Sequence, residues 1–180
     1  MIGDALLEQS STGSDLVPDG NRHPDMAPHG CYPCSGADWI AIAVADDAEW
    51  RRLCDVLEAG KLADDPRYAL SRDRIANADR LDAALTELTT AHNAAGLAQR
   101  LRHAGVAANK SATSIDVIGD ELLWERGFYR FVSDHREGQR PVLGPPWRMS
   151  RASARIERGA PDLGEDNEYV FNEVLGKVTP

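Results

Sequence analysis

The stretch Gly20–Val44, GNRHPDMAPHGCYPCSGADWIAIAV, leads from a polar, turn-rich segment into the best strand candidate of the chain. Large and small apolar residues alternate along Trp39–Val44, which predicts a buried strand. Cys31–Cys34 is a second extended piece, and Ser35–Asp38 is short enough to join the two as a β-hairpin at the centre of the fold. The polar side chains of the loop leading into this hairpin are Asn21, Arg22, His23 and His29.

Bulk composition is that of an ordinary folded protein. The 180 residues, 42% apolar and 27% charged, suit one domain or one domain with tails. A net charge of −9 argues against binding to nucleic acid or to an anionic membrane surface, since both select basic patches. No apolar run reaches the roughly 20 residues that span a bilayer, and the N-terminus lacks the features of a signal peptide. We therefore expect a cytoplasmic protein whose three cysteines are reduced thiols.

The rest of the chain alternates helical and extended patterns. The spacing of apolar residues predicts, in chain order, the helices 47–60, 71–92, 93–105, 114–119 or 120–126, and 162–176. Strands are predicted at 106–108, 128–132 and 142–147. In the helix 71–92, Arg72, Arg74, Arg80 and Glu87 are expected to face solvent. These elements predict an α+β fold, with several helices packed on a small mixed or antiparallel sheet built from the hairpin and the strands 128–132 and 142–147.

Two histidines and two cysteines lie close together around the start of the hairpin. His23, His29, Cys31 and Cys34 offer ligands that zinc prefers, but a structural zinc site usually adds a second closely spaced pair after a longer loop. Only Cys54 remains. In an extended piece Cys31 and Cys34 point to opposite faces, and Cys31 precedes a strand, where a thioredoxin-type cysteine would begin a helix. Neither a metal site nor a thioredoxin-type site is predicted.

Other polar residues of this region allow both a structural and a substrate-binding interpretation. Asp46 and Asp47 lie at a strand-to-helix edge, where they serve as a helix cap or face a cleft. Arg22 is a surface charge or attracts a phosphate, and His29 is a hydrogen-bonding turn residue or a general base. The sequence has no P-loop, G-x-G-x-x-G or G-x-S-x-G motif. Local chemistry alone therefore assigns no enzyme class.

A series of segments along the chain carries a family resemblance. The segments are GNRHP at 20–24, APHGCYPC at 27–34, WIAIAV at 39–44, DPRY at 65–68, AGV at 104–106, ERGF at 125–128, APDLGED at 160–166 and VLG at 174–176. Their order and separations, from about Gly3 to Gly176, resemble the C-terminal portion of the family III CoA-transferases. That group includes formyl-CoA transferase, carnitine CoA-transferase and α-methylacyl-CoA racemase.

The resemblance implies an activity and places its nucleophile elsewhere. In this family an aspartate of a larger N-terminal domain becomes acylated and then forms an aspartyl-CoA thioester. The resemblance implies a CoA-transferase whose substrates are an acyl-CoA thioester and a carboxylic acid, with no tightly bound cofactor and no metal. No catalytic residue is expected within this chain, which is expected to be inactive when isolated. Asp47 most nearly matches a glutamate of the racemase-like members, whereas Asn21, Arg22 and His23 replace glycines of the loop that closes over the intermediate in formyl-CoA transferase. The expected substrate-binding residues are Asn21, Arg22, His29, Asp46 and Asp47.

The resemblance also implies a division of the chain and a set of partners. Residues 1–19 are expected to be a linker or helix remnant from the missing N-terminal domain, 20–150 the small α+β domain, and 151–180 a C-terminal segment and helix that packs on the large domain or a dimer partner. The expected partners are the N-terminal domain or a second chain, in an interlocked homodimer. In isolation, the faces bearing Leu6, Leu7, Phe171 and Leu175 would then be exposed. An acyl-CoA racemase of the same family and a non-catalytic binding or assembly module are the alternative functions.

Overall fold

The computed structural model describes residues 3–15, 18–136, 138–151 and 156–176. The chain divides into two compact units, Met1–Ser111 and Ala112–Pro180. The predicted boundaries after residues 19 and 150 stay predictions. Parts of the predicted terminal segments, at 1–2, 16–17, 152–155 and 177–180, lie outside the described residues.

Helices and short strands alternate in both units. The first unit contains α1 (Gly3–Thr12), β1 (His29–Pro33), β2 (Trp39–Ala43), α2 (Asp47–Val56), α3 (Gly60–Ala63), α4 (Ser71–Ala76), α5 (Ala78–Thr89), α6 (Ala94–His103) and β3 (Ala107–Lys110), with 3-10 turns at Ser35–Ala37 and Pro66–Tyr68. The second contains α7 (Ser114–Ile118), α8 (Glu121–Glu125), β4 (Tyr129–Asp134), β5 (Gly138–Leu143) and the π-helical segment Tyr169–Val174. Within the described ranges, no helix is both long and apolar enough to cross a membrane. The mixture of helices and small antiparallel sheets confirms the predicted α+β class.

The predicted β-hairpin is confirmed. β1 and β2 pair antiparallel with Cys31 opposite Ala41, and the Cys34 N–H donates to the Asp38 carbonyl oxygen at 2.8 Å to close the connecting turn. Gly36 in this turn has a φ of 73°, which glycine adopts without a Cβ clash. β3 pairs with the other side of β2, so the sheet has the order β1-β2-β3.

One face of this sheet packs on the helices and forms the core of the first unit. Ile40 and Ile42 of β2 are buried in the same apolar cluster as Trp50 and Leu53 of α2. Other large members of the cluster are Tyr32, Val44, Cys54, Leu57, Leu81, Leu85, Leu97 and Leu101. The apolar residues whose spacing predicts the helix 47–60 therefore form the buried face of α2.

The continuous helix predicted over 71–92 is wrong. α4 ends before Asn77 and α5 begins after it, because Asn77 leaves the helical region with φ −112° and ψ 22°. Its side-chain amide donates to the Asp73 carbonyl oxygen at 2.8 Å, a local bond of the kind by which asparagine competes with helix geometry. The expectation that Arg74 faces solvent is also wrong, since Arg74 is 0% exposed.

The single sheet predicted from the hairpin and the later strands is wrong in its composition. β4 and β5 form a separate two-stranded sheet with Tyr129 opposite Leu143, while β3 completes the sheet of the first unit. β5 ends at Leu143, and the predicted extension to Trp147 does not form a strand. Pro145 and Pro146 have no backbone N–H to donate, which explains why pairing stops there.

Both of the helices offered as alternatives after residue 113 form in the second unit. Thr113 caps α7 through reciprocal hydrogen bonds with Asp116, and Asp120 caps α8. The helix predicted over 162–176 is reduced to turns and the short π-helical segment. The apolar side chains expected to be exposed are exposed, namely Leu6, Leu7, Phe171 and Leu175.

Candidate functional site

Two cavities lie beside the loop that leads into β1. We call residues 20–28 the leading loop. The first cavity, the cleft, has a volume of about 550 Å³ and is lined on one side by residues 22–23 and 26–29 and on the other by residues 75–80 and Asp82. The second cavity, the groove, has a volume of about 540 Å³ and lies on the face of the three-stranded sheet that points away from the core. Both volumes are in the range of small-molecule sites.

Arg22 closes part of the cleft through ion pairs with α5. Its Nη2 lies 2.6 Å from Asp79 Oδ1 and 2.9 Å from Asp82 Oδ2. The Tyr32 hydroxyl donates to Asp82 Oδ1 at 2.7 Å, and burial together with this carboxylate raises the pKa of Tyr32 far above its ordinary value. The charge of Arg22 is thus matched by two carboxylates, and an anionic ligand at Arg22 would compete with them.

Two histidine rings lie side by side at the cleft, 5.4 Å apart between centroids. His29 Nδ1 is hydrogen-bonded to the Asn21 carbonyl oxygen, which only accepts, so Nδ1 carries the hydrogen and Nε2 of the neutral ring is an acceptor. His23 Nδ1 accepts from the Asp25 N–H at 3.1 Å, so Nε2 of its neutral ring is a donor. In the neutral form of the two rings, the Nε2 atoms are therefore one acceptor and one donor.

The two acidic residues at the start of α2 lie outside the lining of both cavities. Asp46 caps α2, and its Oδ1 accepts from the Glu49 N–H at 2.7 Å. Asp47 is half-exposed and forms an ion pair with Arg74, in which its Oδ1 lies 2.9 Å from Arg74 Nη1. The structural interpretation of Asp46 as a helix cap is confirmed, and a substrate contact for either residue stays a prediction.

Arg74 is the residue of this region that the sequence interpretation missed. Its guanidinium contacts the leading loop, α2 and the 3-10 turn Pro66–Tyr68, while its Nη2 is buried without a hydrogen-bond partner among the described residues. No helical spacing marks Arg74 for burial, because the break at Asn77 separates it from the buried leucines of α5.

The groove brings two of the predicted site residues to the outer face of the sheet. Asn21 and His29 line it together with small residues of the strands and with Arg102. Arg102 Nη1 donates to the Ala108 carbonyl oxygen at 3.1 Å, which fastens the end of α6 to β3. Asn21, Arg22 and His29 are therefore close together around the leading loop, as expected of neighbours in the sequence.

The cysteines of the hairpin are divided between the two faces of the sheet. Cys31 is exposed and Cys34 is buried, and burial raises the pKa of the Cys34 thiol. Across the described ranges, no cluster of three or more His, Cys, Asp or Glu side chains is arranged to hold a metal ion.

Comparison with known proteins identifies the family. The pattern that defines CoA-transferase family III matches residues 1–167 of the chain. The chain belongs to CoA-transferase family III. This family III chain is 36% identical over 159 residues to a probable CoA-transferase of Mycobacterium tuberculosis, and 28% identical over 155 residues to the succinate–glutarate CoA-transferase of Agrobacterium fabrum. The predicted family is therefore confirmed.

A solved structure has the same fold as this family III chain. The crystal structure of a CaiB/BaiF family protein from Brucella suis matches 97% of the chain with a TM-score of 0.80 and 28% identity. The chain spans 44% of that protein, 20% of the Mycobacterium protein and 38% of the Agrobacterium enzyme. It therefore corresponds to part of these family III proteins.

Proposed function

We propose that this chain is the C-terminal part of a CoA-transferase that moves CoA between an acyl-CoA thioester and a carboxylic acid, with the aspartate nucleophile outside the chain. The observation that carries the proposal is the family III match over residues 1–167. Several curated relatives, each of which extends well beyond the matched region, are CoA-transferases by name. In this proposal the chain uses a CoA thioester as substrate, holds no tightly bound cofactor and is inactive alone.

A role for the cleft follows from the chemistry of the intermediate. An acylated aspartate is a mixed anhydride, which water hydrolyses, so the nucleophile needs a cover that excludes water. The leading loop is the proposed cover, with Asn21, Arg22 and His29 facing the substrate and Asp46 and Asp47 at the edge. The proposed partner is the N-terminal domain, on the same or a second polypeptide, within a cytoplasmic homodimer.

The relatives suggest a class of acid. Succinate, glutarate, oxalate and mesaconate are named among their substrates, and each of these acids has two carboxylates. Arg80 lines the cleft and has no ion-pair partner within the described residues. We propose a short dicarboxylic acid as substrate, with Arg80 as the cation that pairs with its second carboxylate.

The test is transfer of CoA in the complete protein, made by supplying the remaining part of the family III fold as a fusion or a second polypeptide. Succinyl-CoA and ¹³C-labelled glutarate are mixed with it, and the products are separated by mass. Labelled glutaryl-CoA is expected. The Arg80→Gln variant should use glutarate less well but should use the monocarboxylate butyrate as before, with Arg72→Gln as the exposed control on α4.

A parallel reaction of the complete protein in D₂O, with a 2-methylacyl-CoA as the thioester and glutarate as the acid, distinguishes the racemase. A racemase would place deuterium on the α-carbon of a 2-methylacyl-CoA and transfer no CoA. Deuterium on the α-carbon without formation of glutaryl-CoA would replace the proposed activity with that of the racemase. If the complete protein forms neither product, both enzyme activities are refuted.

A further inference from the structure

Besides the ion pairs of Arg22, a buried arginine connects the two walls of the cleft. Arg74 belongs to α4, and the residues that follow it, 75–77, form part of one wall of the cleft. Its guanidinium contacts the leading loop, which forms the other wall. Arg74 is 0% exposed, whereas charged side chains are rarely buried unless they are paired. Specific contacts must therefore hold this charge.

Those contacts come from separate segments of the first unit. Arg74 Nε donates to the Ala27 carbonyl oxygen at 2.7 Å, and Nη1 donates to the Tyr68 carbonyl oxygen at 3.1 Å. Nη1 also donates to Asp47 Oδ1 at 2.9 Å, and the guanidinium carbon lies 5.4 Å from the centre of the Trp50 ring. The charge is thus held by a carboxylate, two carbonyl dipoles and an aromatic face.

The contact with Ala27 links Arg74 to the cleft. Ala27 and Pro28 line the cleft, whereas Asp47, Tyr68 and Trp50 lie outside its lining, as does Arg74 itself. Arg74 is thus joined to one wall through the Ala27 carbonyl oxygen and to the other through the α4 backbone, which continues to Ile75. The Asp47 carboxylate lies beside the guanidinium, as a counter-ion does.

We propose that Arg74 is a positioning residue that holds the leading loop against α4 and so sets the width of the cleft for its substrate, with Asp47 as its counter-ion and not as an acid or base. The identity of the substrate rests on the proposed function, but the geometry is independent of any reaction. Lysine keeps the charge and replaces the planar fork with one ammonium group, so it cannot bond Ala27, Tyr68 and Asp47 in the same geometry. Arg74→Lys is expected to loosen the loop while the fold is kept.

The position of the loop has its own reporter in the chain. The Val44 N–H donates to the Pro28 carbonyl oxygen at 2.9 Å, and its hydrogen-exchange rate measures how often the loop opens. The Ser111 N–H, which donates to the Trp39 carbonyl oxygen at 2.8 Å, is the matched reporter away from the loop. By NMR on this chain, Arg74→Lys and Arg74→Met are expected to speed exchange at Val44 by roughly tenfold more than at Ser111.

A control variant distinguishes positioning from general loss of stability. Leu101 is fully buried in α6 and lies outside the cleft lining. Leu101→Ala is expected to speed exchange at Val44 and Ser111 alike, because it weakens the whole unit. If both Arg74 variants also speed the two amides alike, Arg74 is an ordinary core residue and the proposal is overturned.

Kinetic measurements on the complete transferase supply a second test of the role of Arg74. Arg74→Lys is expected to raise KM for the carboxylic acid about tenfold and to change kcat less than about threefold. Asp47→Asn is expected to change KM and kcat in the same way and to leave the pH profile of kcat unaltered. Loss of kcat in Asp47→Asn, with a changed pH profile and normal exchange at Val44, would assign Asp47 to the chemistry and overturn the proposal. No CoA transfer by the complete wild-type protein, with the exchange results as expected, would refute the proposed function alone and leave the role of Arg74 supported.

Discussion

The thiol of Cys54 is expected to make the stability of the first unit sensitive to alkaline pH. Cys54 is 1% exposed in the core, and burial, with a smaller effect of the Asp55 carboxylate, raises its pKa from an ordinary 9.0 to about 12. The folded protein therefore keeps this proton at pH values where the unfolded chain has lost it. Stability from this group is fully present below the unfolded pKa and is lost as the pH rises from 9.0 to about 12.

The size of the effect follows from the two pKa values. About one pH unit above the unfolded pKa, near pH 10, the thiol is mostly ionised in the unfolded chain and protonated in the folded one, so the free energy of unfolding falls by about 1.4 kcal/mol relative to pH 7. Burial also raises the pKa values of Cys34 and Tyr32, which add to the loss in the same direction. Comparison with Cys54→Ala, which has no thiol proton to lose, isolates the part of the loss in unfolding free energy that is due to Cys54.

Urea unfolding followed by circular dichroism at pH 7 and pH 10, with a reductant present, measures this difference. Between the two pH values the wild type should lose about 1.4 kcal/mol more than Cys54→Ala. Cys54→Ser, which nearly keeps the side-chain volume, is the matched second variant and should show the same reduced pH dependence as Cys54→Ala. Equal losses in the wild type and both variants would refute a buried, protonated thiol at this position.

Two further predictions concern acidic residues in other parts of the first unit. Asp46→Ala should lower the free energy of unfolding by about 1 kcal/mol because α2 loses its cap, whereas Asp46→Ser should keep most of it. Equal losses in the two variants, measured by urea unfolding, would exclude capping as the main role of Asp46. Hydrogen bonds from the Arg67 side chain and backbone lower the pKa of Asp65 from 3.8 to about 2, so its stabilisation is present above pH 3.8 and is lost as the pH falls toward 2. The stability advantage of wild type over Asp65→Asn should therefore shrink across that range, and a constant advantage from pH 6 to pH 2 would contradict the lowered pKa.

Local patterns in the sequence predicted those parts of the fold that neighbouring residues determine. The hairpin follows from alternation in Trp39–Val44 and a short turn, and the apolar face of α2 follows from helical spacing. Asn21, Arg22 and His29 meet around the leading loop because that loop is a single short segment. In each case the deciding contacts join residues close together in the chain.

Other features depend on contacts that no local pattern contains. Arg74 has a charge, which favours a solvent-facing prediction, yet its partners Ala27 and Asp47 are 47 and 27 positions away. The break at Asn77 depends on one side-chain bond to the helix backbone. The sequence predicts the third strand of the first sheet only over 106–108, and pairing with β2 extends it to Lys110. Tertiary packing therefore determines which strands share a sheet and which charges are buried.

The proposed function depends most directly on the location of the nucleophile. The purified chain is mixed with succinyl-CoA and weighed by intact-protein mass spectrometry, with the complete transferase as the positive control. A second portion is treated with hydroxylamine, which displaces the acid or CoA from an activated aspartate and leaves a hydroxamate that marks the residue. This chain is expected to gain neither acyl nor CoA mass and to form no hydroxamate, whereas in the complete protein the adduct is expected on an aspartate outside it. An adduct on a carboxylate of this chain, accompanied by CoA transfer, would refute the proposed location of the nucleophile and place the catalytic aspartate within these 180 residues.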